Sequence, residues 1–337
     1  MKQLREYSEL KKILGAQVRS PRQVNHLFEA DCEIVKVGPK NFITTSTDSL
    51  GEEISQGLYQ EPETWAWLTV ASSVSDHCAS GATALGLTLS TQWAFNTPAE
   101  IKTRFFTAVK KACQKMRVPL LGGDSGYAQD HVMTSSILGH SAVQPLMRSG
   151  AKAGDYLVLA DQKSLGVGPA LALRFLLQRE ESLLPERIFR PAPSWQLAQK
   201  VRPLATAAID TSDGLTMALY TLAQINNLGF EIHWSEKVNH PQALHFCAMN
   251  TYSPIMLWLG DLGDLQTLFV IPEKNLRKLP RTGLTVLGQL HSKKSYTLKY
   301  KNHSVPLPID QLTQTARDTG SYMTLAQDLK KYLAPFS

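Results

Sequence analysis

Ala205-Thr206-Ala207-Ala208-Ile209-Asp210-Thr211-Ser212-Asp213-Gly214-Leu215 is the stretch on which the reading of the chain turns. Its apolar half, residues 205–209, predicts a buried strand. Residues 210–214 then predict a turn, and the run to about Asn227 a helix. Ser212 and Asp213 stand at the start of that helix, where free backbone N–H groups bind phosphate oxygens. A carboxylate beside such a site makes chemical sense when a cation bridges it to the phosphate. The competing explanation is a serine that merely caps a helix. This segment alone does not decide between them.

The same setting recurs upstream. A threonine-rich run at 42–48 predicts a strand ending on Ser46-Thr47-Asp48. Asp31 lies in Ala30-Asp31-Cys32, and Asp124 follows a glycine pair in Gly122-Gly123-Asp124-Ser125. Two glycines in a turn let the backbone approach a phosphate, and the aspartate can then reach that phosphate's metal. Asp76 is set differently, inside an apolar helix in Val74-Ser75-Asp76-His77-Cys78. An unpaired charge there is costly, so a metal or a basic partner is required. His77 beside it reads as a structural histidine. Mg²⁺ takes oxygen ligands: a few protein carboxylates plus substrate phosphates. Carboxylates far apart in sequence can serve it if strand ends converge.

Around these acids the chain alternates strands and helices. Pro62 suits the first turn of a helix to about Ser80, with Gly81 as its stop. Residues 84–90 alternate as a strand. A helix from Pro98 to about Arg117 carries an apolar stripe at Ile101, Phe105, Val109 and Ala112. Residues 118–121 form a short apolar run ending in the glycine pair, and 131–140 a further strand. Small and charged residues at 148–155 mark a change of domain, giving domains 1–147 and 148–337. The second part predicts strands at 156–160, 230–234, 266–271 and 284–290, and a helix at 166–177. Strands and helices mixed in both halves predict an α/β (α+β) protein.

Composition sets the outer bounds. A chain of 337 residues can bury two cores without staples. With 43% hydrophobic and 19% charged residues it falls outside the disordered class. A net charge of +6 favours small anions slightly and does not by itself indicate nucleic acid. Lys274, Arg277, Lys278, Arg281, Lys293, Lys294, Lys299 and Lys301 read as solvated surface, because no aromatic interleaving accompanies them. Four widely spaced cysteines form no C-x-x-C pair and predict reduced thiols. The start has no apolar leader, and no run approaches the ~18 apolar residues of a spanning helix. The expected protein is therefore soluble and cytoplasmic, without a membrane or nucleic-acid partner.

Taken in order, the motifs resemble one family. Asp31-Cys32, Ser46-Thr47-Asp48-Ser49-Leu50, Ser75-Asp76 with Gly81-Ala82, Gly122–Ser125, Arg148-Ser149-Gly150-Ala151-Lys152 with Gly154-Asp155, and Asp210–Leu215 are similar to the thiamine-monophosphate kinases of the aminoimidazole ribonucleotide (AIR) synthase superfamily. The resemblance runs from about residue 30 to 290. It implies a two-domain AIR synthase-like fold, with N-terminal mixed sheets that pair into a barrel across a homodimer and a C-terminal α/β domain. It implies Mg²⁺ and ATP, with metal positions at Asp31, Ser46, Thr47, Asp48, Asp76, Asp124, Asp210 and Asp213. Gly123, Asp124, Arg148 and Ser212 match nucleotide-contacting positions, with Arg148 and Asp124 in the phosphoryl-transfer step. Such transfer needs mainly positioning and charge neutralisation. A phosphate acceptor is already a nucleophile, which agrees with the lack of any recognisable Ser-His-Asp or Cys-His constellation.

The acceptor side departs from the family. Ser55 falls at or near a substrate-touching histidine. In place of the family's Gly-Gly-Glu-Asp-Tyr-Glu-Leu segment stands 259–266, with Asp264 keeping one acid, and Tyr322 stands one place from a ring-stacking aromatic. Ser55, Asp264 and Tyr322 are thus the substrate candidates, for thiamine monophosphate or an analogue. Two further readings stay open: a relative that uses ATP on another small molecule in specialised metabolism, and a non-catalytic nucleotide-binding or assembly protein.

Overall fold

The computed structural model describes residues 11–160, 165–176, 178, 183–259, 262–300 and 303–307. Its first sheet has β1 (Glu33–Gly38), β2 (Asn41–Leu50), β3 (Thr83–Ala94), β4 (Leu120–Ala128) and β5 (Val132–Ser141), in the order β1-β2-β5-β3-β4. All pairs are antiparallel except β3 with β4. The second sheet has β6 (Tyr156–Leu159), β7 (Ala207–Asp210), β8 (Gly229–His233), β9 (Thr267–Ile271), β10 (Thr285–His291), β11 (Tyr296–Tyr300) and β12 (His303–Pro306). Its order is β12-β11-β8-β10-β6-β9-β7. The helices are α1 (Glu52–Ser55), α2 (Pro62–Ser80), α3 (Ala99–Met116), α4 (Val167–Leu176), α5 (Trp195–Val201), α6 (Leu215–Ile225), α7 (Pro241–Met249) and α8 (Met256–Leu259).

α2 joins the two sheets. Pro62 opens it, where a missing N–H costs nothing, and Gly81 ends it in the left-handed region at φ 66°. Any side chain at Gly81 would also meet the Arg202 stem at 2.7 Å. The helix packs on β2, β5 and α3 on one side and on β7, β9 and α5 on the other. It is therefore buried almost all round, with small Ala and Ser residues allowing both layers to approach. α3 shows the ordinary amphipathic pattern, burying Phe105, Ala108, Val109, Ala112, Cys113 and Met116. In the second sheet β9 is buried on both faces. Its unbroken Thr-Leu-Phe-Val-Ile run reflects this.

One predicted turn is a strand. The glycine pair before Asp124 lies within β4, which runs from Leu120 to Ala128 with a register shift at Leu121. The pairing of Gly122, Gly123 and Asp124 with Thr88, Leu89 and Ser90 of β3 offsets the poor strand propensity of glycine. Gly123 is needed for a different reason: a Cβ there would stand 1.8 Å from the Leu89 carbonyl oxygen. The face of this sheet turned away from α2 and α3 is uncovered. Leu85, Leu121 and Leu138 are 43%, 55% and 38% exposed, and β4 is an edge strand. No helix among the described residues is long and apolar enough to cross a membrane.

Candidate metal and nucleotide site

Aspartates from both sheets meet at α2. Carboxylate oxygens of Asp31, Asp76 and Asp210 all lie within 4.8 Å of one another. Asp31 precedes β1, Asp76 lies on α2, and Asp210 ends β7. Asp48 of β2 hydrogen-bonds to Asp76 and joins the group, while Asp213 acts electrostatically on Asp48 and Asp210. Serines fix the geometry. Ser75 Oγ donates to Asp210 Oδ2 at 2.6 Å, and Ser212 Oγ donates to Asp210 Oδ1 at 2.9 Å. Ser73 Oγ donates to Asp48 Oδ2 at 3.3 Å. Ser73 and Ser75 escaped the sequence reading, although their spacing one turn around Asp76 is a usable signal.

Arg148 supplies positive charge. Its Nη2 and Nε lie 2.7 and 3.2 Å from Asp31 Oδ1, and Nη1 donates to the Phe28 carbonyl at 3.3 Å. One guanidinium leaves several neighbouring carboxylates unneutralised. Burial first, then Asp31 and Asp213, push Asp210 up to about 7, against the hydrogen bonds from Ser75 and Ser212. Burial likewise raises Asp48, and burial with Asp48, Asp210 and Asp31 raises Asp76 strongly. Asp48, Asp76 and Asp210 therefore all resist ionisation where no cation offsets their charge. Burial first, then the nearby carboxylates, drive the Cys32 and Cys78 thiols upward, so the neighbouring sulfurs stay protonated. Ser46 Oγ, on the same face of β2 as Asp48, is buried beside the Cys32 thiol. An all-oxygen donor set and unbalanced negative charge fit a hard divalent cation.

Next to the cluster, Gly214 begins α6 at φ 90° and offers no side-chain cap to the first N–H groups. The helix thus starts two residues later than the serine reading placed it. The 210–214 turn is braced from behind. Thr211 N–H donates to the Gln266 carbonyl at 2.8 Å, Gln266 N–H to Thr211 Oγ1 at 3.0 Å, and Gly263 N–H to the Ser212 carbonyl at 2.9 Å. A Cβ on Gly263 would fall 1.4 Å from the Thr211 oxygen, so the brace depends on glycine.

The fold has known counterparts. Residues 29–141 match the family described as AIR synthase related protein, N-terminal domain. The thiamine-monophosphate kinase of Pyrococcus horikoshii is 25% identical over 289 residues, 85% of this chain and 90% of its own. The Aquifex aeolicus enzyme of the same name is 27% identical over 256 residues, 73% and 80% of the two chains. Among solved structures, AaThiL complexed with AMPPCP and TMP superposes with a TM-score of 0.72 at 23% identity, covering 91% of this chain and 99% of that one. The hydrogenase maturation protein HypE in complex with ATP has a TM-score of 0.63 at 14% identity, covering 91% and 95%. The chain is similar to thiamine-monophosphate kinases over most of its length. The two-sheet α/β fold is shared with these solved structures.

Other predicted site residues lie apart from the cluster. Asp124 pairs with Ser90, which pairs with Thr134, which pairs with Ser49. It is thus three strands, ~14 Å, from β2. Because Ser49 neighbours Asp48 on the strand, Asp124 also points to the opposite, open face. Gly123, beside it on β4, is equally far from the cluster. Thr47 shares the open face and bonds Ser136 Oγ at 2.8 Å. Ser55 ends α1 with its hydroxyl turned back to the Glu52 carbonyl at 3.0 Å. Asp264 is buried and accepts from the N–H groups of Gly166 at 2.5 Å and Gly168 at 2.8 Å, so its carboxylate is committed to the start of α4. Burial outweighs those bonds and pushes it up to about 7. Tyr322 lies outside the described residues. His77 is buried, 3.4 Å from Thr44 Oγ1, and burial lowers it to about 4, so it is neutral and structural.

Proposed function

We propose that the chain transfers the γ-phosphoryl group of Mg-ATP to thiamine monophosphate. The observation that carries this reading is the convergence of Asp31, Asp76 and Asp210 beside Arg148 and the start of α6. A carboxylate cluster next to free helix N–H groups suits a metal-bridged polyphosphate. Full-length similarity to thiamine-monophosphate kinases supports the same activity, and the AaThiL complex with AMPPCP and TMP supports its two substrates. Bound Mg²⁺ would neutralise phosphate charge at Asp31, Asp48, Asp76, Asp210 and Asp213. The Ser212–Leu215 turn would hold phosphate oxygens through its N–H groups, and Arg148 would offset charge developing on the transferred group. No general base is needed, because the acceptor's phosphate oxygen is the nucleophile.

The protein acts as a homodimer in this proposal. What supports it is the open face of the first sheet, with Leu85, Leu121 and Leu138 exposed and an uncovered β4 edge. Asp124 faces the same open side, away from its own cluster and toward a second copy.

The test is direct. Purified protein with Mg-ATP and thiamine monophosphate should give thiamine diphosphate and ADP by phosphorus NMR. Intact thiamine monophosphate after long incubation, with ATP consumed or not, would overturn the named acceptor. The second case, consumption without diphosphate, would favour an enzyme acting on a different acceptor.

A further inference from the structure

Arg148 owes its place to a residue 78 positions away. The Asn226 side chain, at the end of α6, makes four hydrogen bonds. Its Oδ1 accepts from Gly150 N–H at 2.8 Å and Ala151 N–H at 2.9 Å. Its Nδ2 donates to the Arg148 carbonyl at 2.8 Å and to the Leu222 carbonyl at 2.8 Å. Both donors and both acceptor positions of the amide are thus used. Two N–H groups on one side and two carbonyls on the other admit one orientation of the amide. The backbone around it is equally specified. Asn227 takes the left-handed region at φ 57°, and Leu228 N–H closes the helix end on the Ala223 carbonyl at 2.8 Å. Gly150 sits at φ 109°, where a Cβ would stand 2.7 Å from the Thr206 oxygen.

α6 therefore touches the site at both ends. Its start follows Asp213, and its end grips the backbone of Arg148. We propose that Asn226 is the positioning residue for Arg148, fixing the distance between this guanidinium and the Ser212–Gly214 turn through the length of α6. The proposal rests on the reading of Arg148 as a phosphate-side charge. Asn226 itself contacts neither cluster nor turn, so it acts only through Arg148.

A double-mutant cycle tests this, read by calorimetric titration of the full chain with Mg-AMPPCP and by thermal melting without nucleotide. Arg148→Ala should weaken Mg-AMPPCP binding. Asn226→Ala should weaken it roughly tenfold, the size expected for losing about one net hydrogen bond's worth of ordering. In the Arg148→Ala background, Asn226→Ala should weaken binding no further, while lowering the melting temperature as much as it does alone. Asn226→Asp keeps the two acceptor bonds, loses both donors and should fall between. If Asn226→Ala weakens binding equally in both backgrounds, it acts through general stability and the proposal is wrong. If Arg148→Ala weakens binding and Asn226→Ala does not, the proposal fails alone. If Arg148→Ala binds as the unmodified chain does, the reading of Arg148 falls and the proposal with it.

Discussion

Asp210 is the residue whose chemistry is most exposed to measurement. Its carboxyl is raised to about 7 in the fold, against an ordinary unfolded value of ~3.9. The native state then holds the proton more tightly than the unfolded chain. Its stabilising contribution is complete below about 4 and is lost as pH rises through about 7. Added Mg²⁺ must displace that proton. Its affinity should therefore rise roughly fivefold between pH 6 and 7 and level off above about 8, by calorimetry in matched ionic strength. A flat profile would show that protons and metal do not compete at this site. Asp76→Asn removes a repelled charge from the same cluster. The metal-free protein should melt a few degrees higher at pH 8, roughly the effect of relieving one buried like-charge contact, while Mg-dependent nucleotide binding is lost. A lower melting temperature would place Asp76 among the stabilising residues instead. Asp31, Asp48, Asp76, Asp210 and Asp213 were legible in the sequence because each breaks an apolar pattern at a junction or inside a helix. Asp124 was legible as an acid but not in direction, since a glycine pair looks the same in a turn and in a strand that another strand holds in place. Asn226 left no local trace of its hold on the Arg148 carbonyl, 78 residues away.

At the scale of elements, α2 is held from outside its own segment. Glu61 gives it no side-chain cap. Instead Glu186, from the 3-10 turn Glu186–Ile188, accepts from Gln60 N–H at 2.9 Å and Glu61 N–H at 3.1 Å, with Arg174 3.9 Å away. Trp67 Nε1 donates to the Pro191 carbonyl at 2.7 Å, and Arg190 reaches Thr64 Oγ1 at 3.2 Å. The negative charge suits the positive end of the helix. Glu186→Ala would leave two partly buried N–H groups without an acceptor and the buried Arg174 guanidinium without its counter-charge. A loss of about 3 kcal/mol is expected in denaturant unfolding, and less for Glu186→Gln, which keeps an acceptor. An effect under about 0.5 kcal/mol for the alanine variant would mean that water replaces the carboxylate. The start and stop of α2 and of α3 were readable from Pro62, Gly81 and Pro98, because those residues act locally. β1, β11, β12, α5 and α7 were not, being short elements that form through pairing and packing rather than through their own periodicity.

At the scale of the molecule, the first sheet is finished on one side only. Leu121→Asp with Leu138→Asp should leave the far-ultraviolet spectrum unchanged and yield a monomer by light scattering, because the charges lie on the open face and not in the core. An unaltered dimer would move the subunit contact elsewhere. The alternation along β4 and the pairing chain from Asp124 to Ser49 carry a genetic consequence as well. If a catalytic centre borrows Asp124 from its neighbour, two defective alleles can repair each other. Mixed subunits of Asp124→Asn and Asp210→Asn assemble into pairs in which one centre gathers both lesions and the other none. Co-expression should then restore up to half the turnover of the unmodified pair per heterodimer, whereas either allele alone stays inactive. Failure to complement in a demonstrated heterodimer would return Asp124 to its own chain.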